Sequence, residues 1–200
     1  MDDLAKLFGN EKKVKIMRLF LFNPHEAFDI DTIGERTQLH KNAVKKYVKL
    51  LEDIGLVSKT EFVDTRDNDD KAKSGWVLNN DYIHIEPLHH MLIKNDPVND
   101  DRVIDALNEV GNLQLVIVSG IFLQEWDARL DMLVVGDNID EQSLEEQIKA
   151  LESEIGKELS YANFSSDEFN YRRNVYDKLV RDVLDYPHKK ILDRLELSSP

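Results

Sequence analysis

Five polar side chains between residues 41 and 49 have the types and spacing to read a nucleic-acid duplex: Lys41, Asn42, Lys45, Lys46 and Lys49. Lysine donates to phosphate or to a guanine edge, and asparagine pairs with adenine. To act together they need a helix beneath them. Val44, Tyr47, Val48 and Leu51 recur at i, i+3, i+4 and i+7, which predicts an apolar stripe with the five polar residues on the other faces. Gly55 is placed to cap that helix at its C-terminus. An isolated Lys-rich helix is equally well a solvated surface, so the neighbouring elements carry the argument.

Upstream, Glu11 to Phe22 predicts a longer helix containing Val14, Ile16, Met17, Leu19, Phe20 and Leu21, stopped by Asn23-Pro24. A short helix over Asp31–Arg36 follows, capped by Asp29 or Asp31. Downstream, Leu56 to Val63 and Gly75 to Leu78 predict two strands around a polar tip, Asp64 to Ser74. Helix, helix, basic helix and two-stranded hairpin, in that order, resemble a winged helix-turn-helix domain of the ArsR or MarR sort over roughly residues 8 to 92. Leu50-Leu51-Glu52-Asp53-Ile54-Gly55-Leu56-Val57 is the most specific part of the match. The resemblance implies that the third helix enters the major groove. It also implies that the wing lies near the flanking backbone, where Arg66, Lys71 and Lys73 would be its cations.

The net charge of −13 argues against binding DNA only until it is divided. Residues 1–94 hold 15 Lys and Arg against 16 Asp and Glu; residues 95–200 hold 11 against 23. Phosphate affinity depends on local contacts, so the neutral first half suits DNA and the acidic half should face away from it. One recognition helix covers few base pairs, which implies a homodimer on double-stranded DNA. Its pairing surface would be Glu11–Phe22, the apolar strip Tyr82–Ile93, or the acidic domain. The chain has no cysteine, which excludes disulfides and thiolate metal sites. His84, Glu86, His89 and His90 are the only metal-type cluster, and adjacent His89 and His90 do not share a helix face. Trp76 and Trp126 read as packing residues. The first residues lack an apolar signal core, and the run Leu115–Leu123 is too short to span a bilayer. These features imply a cytoplasmic protein without membrane attachment.

Polar residues and Pro97 suggest a linker over 95–104, between a first domain at 1–94 and a second at 105–200. The second half alternates buried strands, Leu113–Ser119 and Leu130–Gly136, with a helix over Asp140–Ile155. A half-exposed strand over Glu158–Phe164 and helices over Ser166–Asp185 follow. These pieces resemble the minimal nucleotidyltransferases related to DNA polymerase beta, over about residues 105 to 192. That family's signature is Gly-Ser after the first strand and Asp-x-Asp opening the second, with a third acid on a later strand. Here the matching residues are Ser119-Gly120, in reversed order, and Arg129-Leu130-Asp131, with arginine for the first aspartate. The third acid should fall where Tyr161 and Asn163 stand. Two-metal phosphoryl transfer needs several carboxylates, and a guanidinium at a metal position repels the ion. With the pair broken, Asp131 reads as a strand-end residue held by Arg129 or by a turn.

The fold class implied is α+β: an N-terminal winged helix, then an α/β nucleotidyltransferase-like domain with a small mixed sheet. The function implied is a sequence-specific transcriptional regulator whose second domain has lost catalysis. That domain would serve dimerisation, sensing, or binding of a protein or nucleotide. No catalytic residue, metal or cofactor is expected. The alternative is an active metal-dependent nucleotidyltransferase that modifies a protein or small molecule, as an antitoxin would.

Overall fold

The structure is a computed structural model that describes residues 3–63, 72–94 and 98–197. Its class is mixed α+β, and it divides into two compact units. The first comprises Met1–Pro97 together with Glu152–Lys157; the second comprises Val98–Leu151 and Glu158–Pro200. Among the described residues, no helix is long and apolar enough to cross a membrane.

The first unit opens with α1 (Asp3–Leu7) and α2 (Glu11–Phe22). Asn10 caps α2, its Oδ1 accepting from Lys12 N at 2.9 Å. Val14, Ile16, Met17, Leu19, Phe20 and Leu21 are all buried, so α2 is the central helix of this unit rather than a half-exposed one. α3 (Ile30–Thr37) and α4 (Lys41–Asp53) pack against it. Of the two acids considered for the α3 cap, Asp29 is the one that serves: its Oδ1 accepts from Thr32 N at 2.7 Å. Beyond α4, Gly55 takes φ +81°, its N–H reaches Glu52 O and Leu56 N reaches Leu51 O, which closes the helix as a Schellman turn.

β1 (Val57–Val63) and β2 (Ala72–Leu78) form an antiparallel hairpin, Val57 opposite Leu78 and Val63 opposite Ala72. Phe28 adds a bridge to the edge of β2, exchanging both backbone hydrogen bonds with Trp76 at 2.9 Å. Gly75 permits that approach, because a Cβ there would stand 2.5 Å from Phe28 O. α5 (Ile85–Leu92) lays Leu92 into the core and packs Ile85 and Leu88 against it. Most of the strip Tyr82–Ile93 is therefore spent inside its own unit, while Ile83 is exposed.

Residues Glu152–Lys157 are joined to this unit by buried polar groups. Arg18 donates from Nε to Leu92 O at 3.2 Å and from Nη1 to Glu154 O at 3.1 Å. Asn23 Nδ2 donates to Leu19 O and to Gly156 O, at 2.7 and 2.9 Å.

The second unit begins with α6 (Asp100–Leu107), partly inside the segment expected as linker. Asn99 accepts from Arg102 N at 2.8 Å, and Val103, Ala106 and Leu107 are buried. Its sheet has the order β5-β4-β3-β6, with β3 (Asn112–Val118), β4 (Met132–Asp137), β5 (Tyr161–Phe164) and β6 (Lys189–Asp193). β3 is antiparallel to β4 and to β6; β4 and β5 are parallel, joined through α7 (Glu141–Ile155). The sheet is mixed, as expected. One face packs Leu115, Ile117, Leu133 and Val135 with Phe169 of α8 (Ser166–Asn174) and with Val180 and Val183 of α9 (Lys178–Asp185). Alternation sends Val116, Val118, Met132 and Val134 to the opposite face, and they are buried too. Such double coverage explains why these strands read as continuous apolar runs.

Candidate nucleic-acid interface

α4 buries Val44, Val48 and Leu51 completely, with Tyr47 half-buried beside them. At about 100° per residue, Asn42, Lys45, Lys46 and Lys49 fall within one arc opposite that stripe. All four side chains are exposed. Asp53 closes the C-terminal end of the same arc and is exposed as well. Lys46 lies over the Tyr47 ring at 5.3 Å, which draws it to one side of the row. His40 precedes the helix without capping it through its side chain. Its carbonyl oxygen accepts instead, from Ala43 N at 2.9 Å and Val44 N at 3.2 Å.

Two of the expected cations have acidic partners. Lys41 pairs with Asp31 of α3 at 2.7 Å, both side chains being exposed, so the two charges offset one another in part. Lys73 lies on β2, half-buried, with Asp29 at 3.9 Å. Arg66 and Lys71 lie outside the described residues. A residue that sequence reasoning missed is Lys59 on β1, whose Nζ sits 6.0 Å from the Trp76 ring centre. Trp76 is held from the other element by its Nε1, which donates to Glu52 at 3.2 Å. Strand alternation could have placed Lys59 on the hairpin's open face.

Asp29 links this face to acidity. Burial pushes its carboxyl up, but hydrogen bonds from Thr32, the Lys73 charge and the Asp31 amide outweigh that and hold it below its ordinary value. A carboxylate depressed in the folded state contributes stability above its unfolded pKa, and that contribution is lost as pH falls through the folded value. Asp29→Ala should cost about 1 kcal/mol at neutral pH as a lost cap. Its deficit relative to the unmodified chain should close below the ordinary carboxylate range. Urea midpoints at neutral and strongly acidic pH test this; a deficit that stays constant with pH counts against it.

In α5 the imidazole of His89 is pushed below its ordinary value by burial and by Lys94, against the pull of Glu86. Among the described residues, no group of three His, Asp or Glu side chains is arranged to hold a metal ion.

In the second unit, Asp131 stands just before β4. Its Oδ1 accepts from Ile121 N and its Oδ2 from Ser160 N, both at 2.9 Å. Its backbone is tied to the same segments, with Ser119 N reaching Asp131 O at 2.9 Å and Asp131 N reaching Ser160 O at 2.7 Å. Ser119 Oγ donates to Leu130 O at 2.6 Å. Gly120, at φ +54°, lies so close to the Asp131 carboxylate that a Cβ would collide with it. Of the two partners considered for Asp131, the turn is correct and the arginine is not: Arg129 reaches Asp182 of α9 at 3.4 Å. At the far end of β4, Asp137 accepts from Ser166 N and Oγ, at 3.1 and 2.9 Å. Both acids that bracket the strand thus fasten loops to it. Trp126, expected to pack, is instead exposed.

Comparison of the chain with protein-family models, with curated proteins and with solved structures finds no match.

Proposed function

We propose that the first unit is a winged helix-turn-helix domain that binds duplex DNA through α4, and that the chain regulates transcription. The observation that carries this reading is the row Asn42, Lys45, Lys46 and Lys49. It is exposed along one side of a helix whose other side is buried, and a two-stranded hairpin follows. A helix of this kind fits the major groove, with lysines on phosphate or guanine and asparagine on adenine. The second unit is read as a nucleotidyltransferase-like domain without transferase chemistry. Support for that half comes from Asp131, whose two oxygens are engaged by backbone amides, and from Arg129 beside it. Binding a second macromolecule or a small ligand is the role left to this unit.

Selection of bound duplexes from a random pool, at stated salt, tests the first half of the proposal. On the selected site, Lys45→Ala and Lys49→Ala should each weaken binding about tenfold across all sequences. Each should also lower the salt slope by about one unit. Asn42→Ala should instead relax preference at one base pair, by about 1–3 kcal/mol. Unchanged affinity after reversing the charge of Lys45, Lys46 and Lys49 together would exclude α4 as the reading element.

A further inference from the structure

Among the exposed large apolar side chains of the described residues, three fall within six residues at the end of α8. Tyr171, Val175 and Tyr176 are 67%, 53% and 80% exposed. Tyr171 and Val175 lie one helical turn apart, joined by Val175 N to Tyr171 O at 3.0 Å, and so share a face. Tyr176 follows at φ +55°, a left-handed backbone that an aromatic residue holds only when its surroundings impose it.

The surroundings do impose it. Arg172 reaches Glu168 at 2.8 Å and Asp177 at 3.4 Å, and lies over the Phe164 ring at 4.6 Å. Asp177 in turn accepts from Leu179 N and Val180 N, at 3.0 and 3.2 Å, which caps α9. The three apolar side chains are thus displayed on a braced corner, and a preformed surface loses little freedom on binding.

We propose that this face of α8 is a homodimer interface, occupied by the same face of a second copy, antiparallel about a two-fold axis. The charge pattern of α8 favours that occupant. Its first turn is acidic, Asp167 and Glu168, and its last turn is basic, Arg172 and Arg173. Antiparallel pairing sets each acidic turn beside a basic one and opposes the helix dipoles, whereas parallel pairing sets like beside like. From Phe169 to Tyr176 there is no acid, in a chain of net charge −13, so two copies meet there with least repulsion. Tyrosine and arginine are also the residue types that anchor interfaces. Of the other pairing surfaces suggested by sequence, α2 and most of the Tyr82–Ile93 strip belong to the core of the first unit, Ile83 being exposed. The purpose of such a dimer, two half-sites read at once, rests on the DNA-binding reading; its existence does not.

Absence of cysteine makes the test direct. In the full chain, Asn174→Cys supplies one thiol beside Tyr171 and Val175. Mild oxidation at micromolar concentration should give a disulfide-linked dimer, while Asp185→Cys, the control on α9, should not. Sedimentation of the unmodified chain without DNA should show a dimer. The double variant Tyr171→Glu with Tyr176→Glu should weaken it by at least about a hundredfold, as loss of two anchor residues does, with circular dichroism unchanged. A monomer at about 100 μM, equal cross-linking at 174 and 185, or a dimer indifferent to the double variant would each overturn the assignment. None of these results bears on whether α4 binds DNA.

Discussion

Gly156→Ala should destabilise the first unit by about 2–5 kcal/mol. Two causes add. The residue holds φ +93°, where a side chain costs about 1–2 kcal/mol. The new Cβ would also stand 2.6 Å from Arg18 C and from Leu19 N. Those are backbone atoms of α2, the helix on which α3 and α4 pack, so they cannot yield as a side-chain tip would. Forced overpacking of this kind costs about 1–3 kcal/mol. Displacing Gly156 would also strain the Asn23 bond to its carbonyl oxygen and the Arg18 bond to Glu154. Chemical denaturation should show an early transition, and amide exchange should place the loss in α2. On the DNA-binding reading proposed above, affinity for the selected duplex should fall in parallel, although Gly156 lies far from α4 in sequence. A midpoint equal to that of the unmodified chain would show that α2 does not depend on this contact.

Asp131→Ala comes next, at about 2–3 kcal/mol for the second unit. Two backbone donors, Ile121 N and Ser160 N, would lose a charged acceptor. A donor left without its partner costs about 1–3 kcal/mol when buried. The Ser160 bond is exposed, so its share is the smaller one. Asp131→Asn keeps one acceptor oxygen and should fall between. No labelled nucleotide should be incorporated by the unmodified chain with Mg²⁺ or Mn²⁺. The opposite pattern is equally clear: incorporation abolished by Asp131→Ala without a change in melting temperature. That outcome would make Asp131 a metal ligand and establish the chain as a nucleotidyltransferase.

Local features were the legible ones. The stripe Val44, Val48, Leu51 fixed both the existence of α4 and the side it shows to solvent, because a helix repeats every 3.6 residues and nothing distant is needed to read it. Gly55 and Asn23-Pro24 ended their helices for equally local reasons. α6 was hidden by its composition: Asn99, Asp100 and Asp101 read as linker residues, yet asparagine as cap and acids in a first turn also begin a helix. β6 carries Lys189 and Lys190, which break the apolar pattern of a strand. It is an edge strand with only β3 beside it, so its polar residues have solvent to face. Side-chain partners were least accessible. The pairs Lys41–Asp31, Lys73–Asp29 and Arg129–Asp182 join residues 10, 44 and 53 positions apart, and no periodicity encodes such distances.

Residues Glu152–Lys157 give the chain a schedule as well as a shape. The helical bundle and hairpin end by residue 97, but the carbonyls that satisfy buried Arg18 and Asn23 come from Glu154 and Gly156. A ribosome must therefore add more than fifty further residues before the first unit can finish its interior. At about 5–20 residues per second that interval lasts roughly 3–12 s. During it, Arg18 keeps the Leu92 carbonyl and Asn23 the Leu19 carbonyl, but each is without the acceptor that Glu154 or Gly156 supplies. A message truncated anywhere between codons 98 and 151 would yield the first unit without the six residues that complete it.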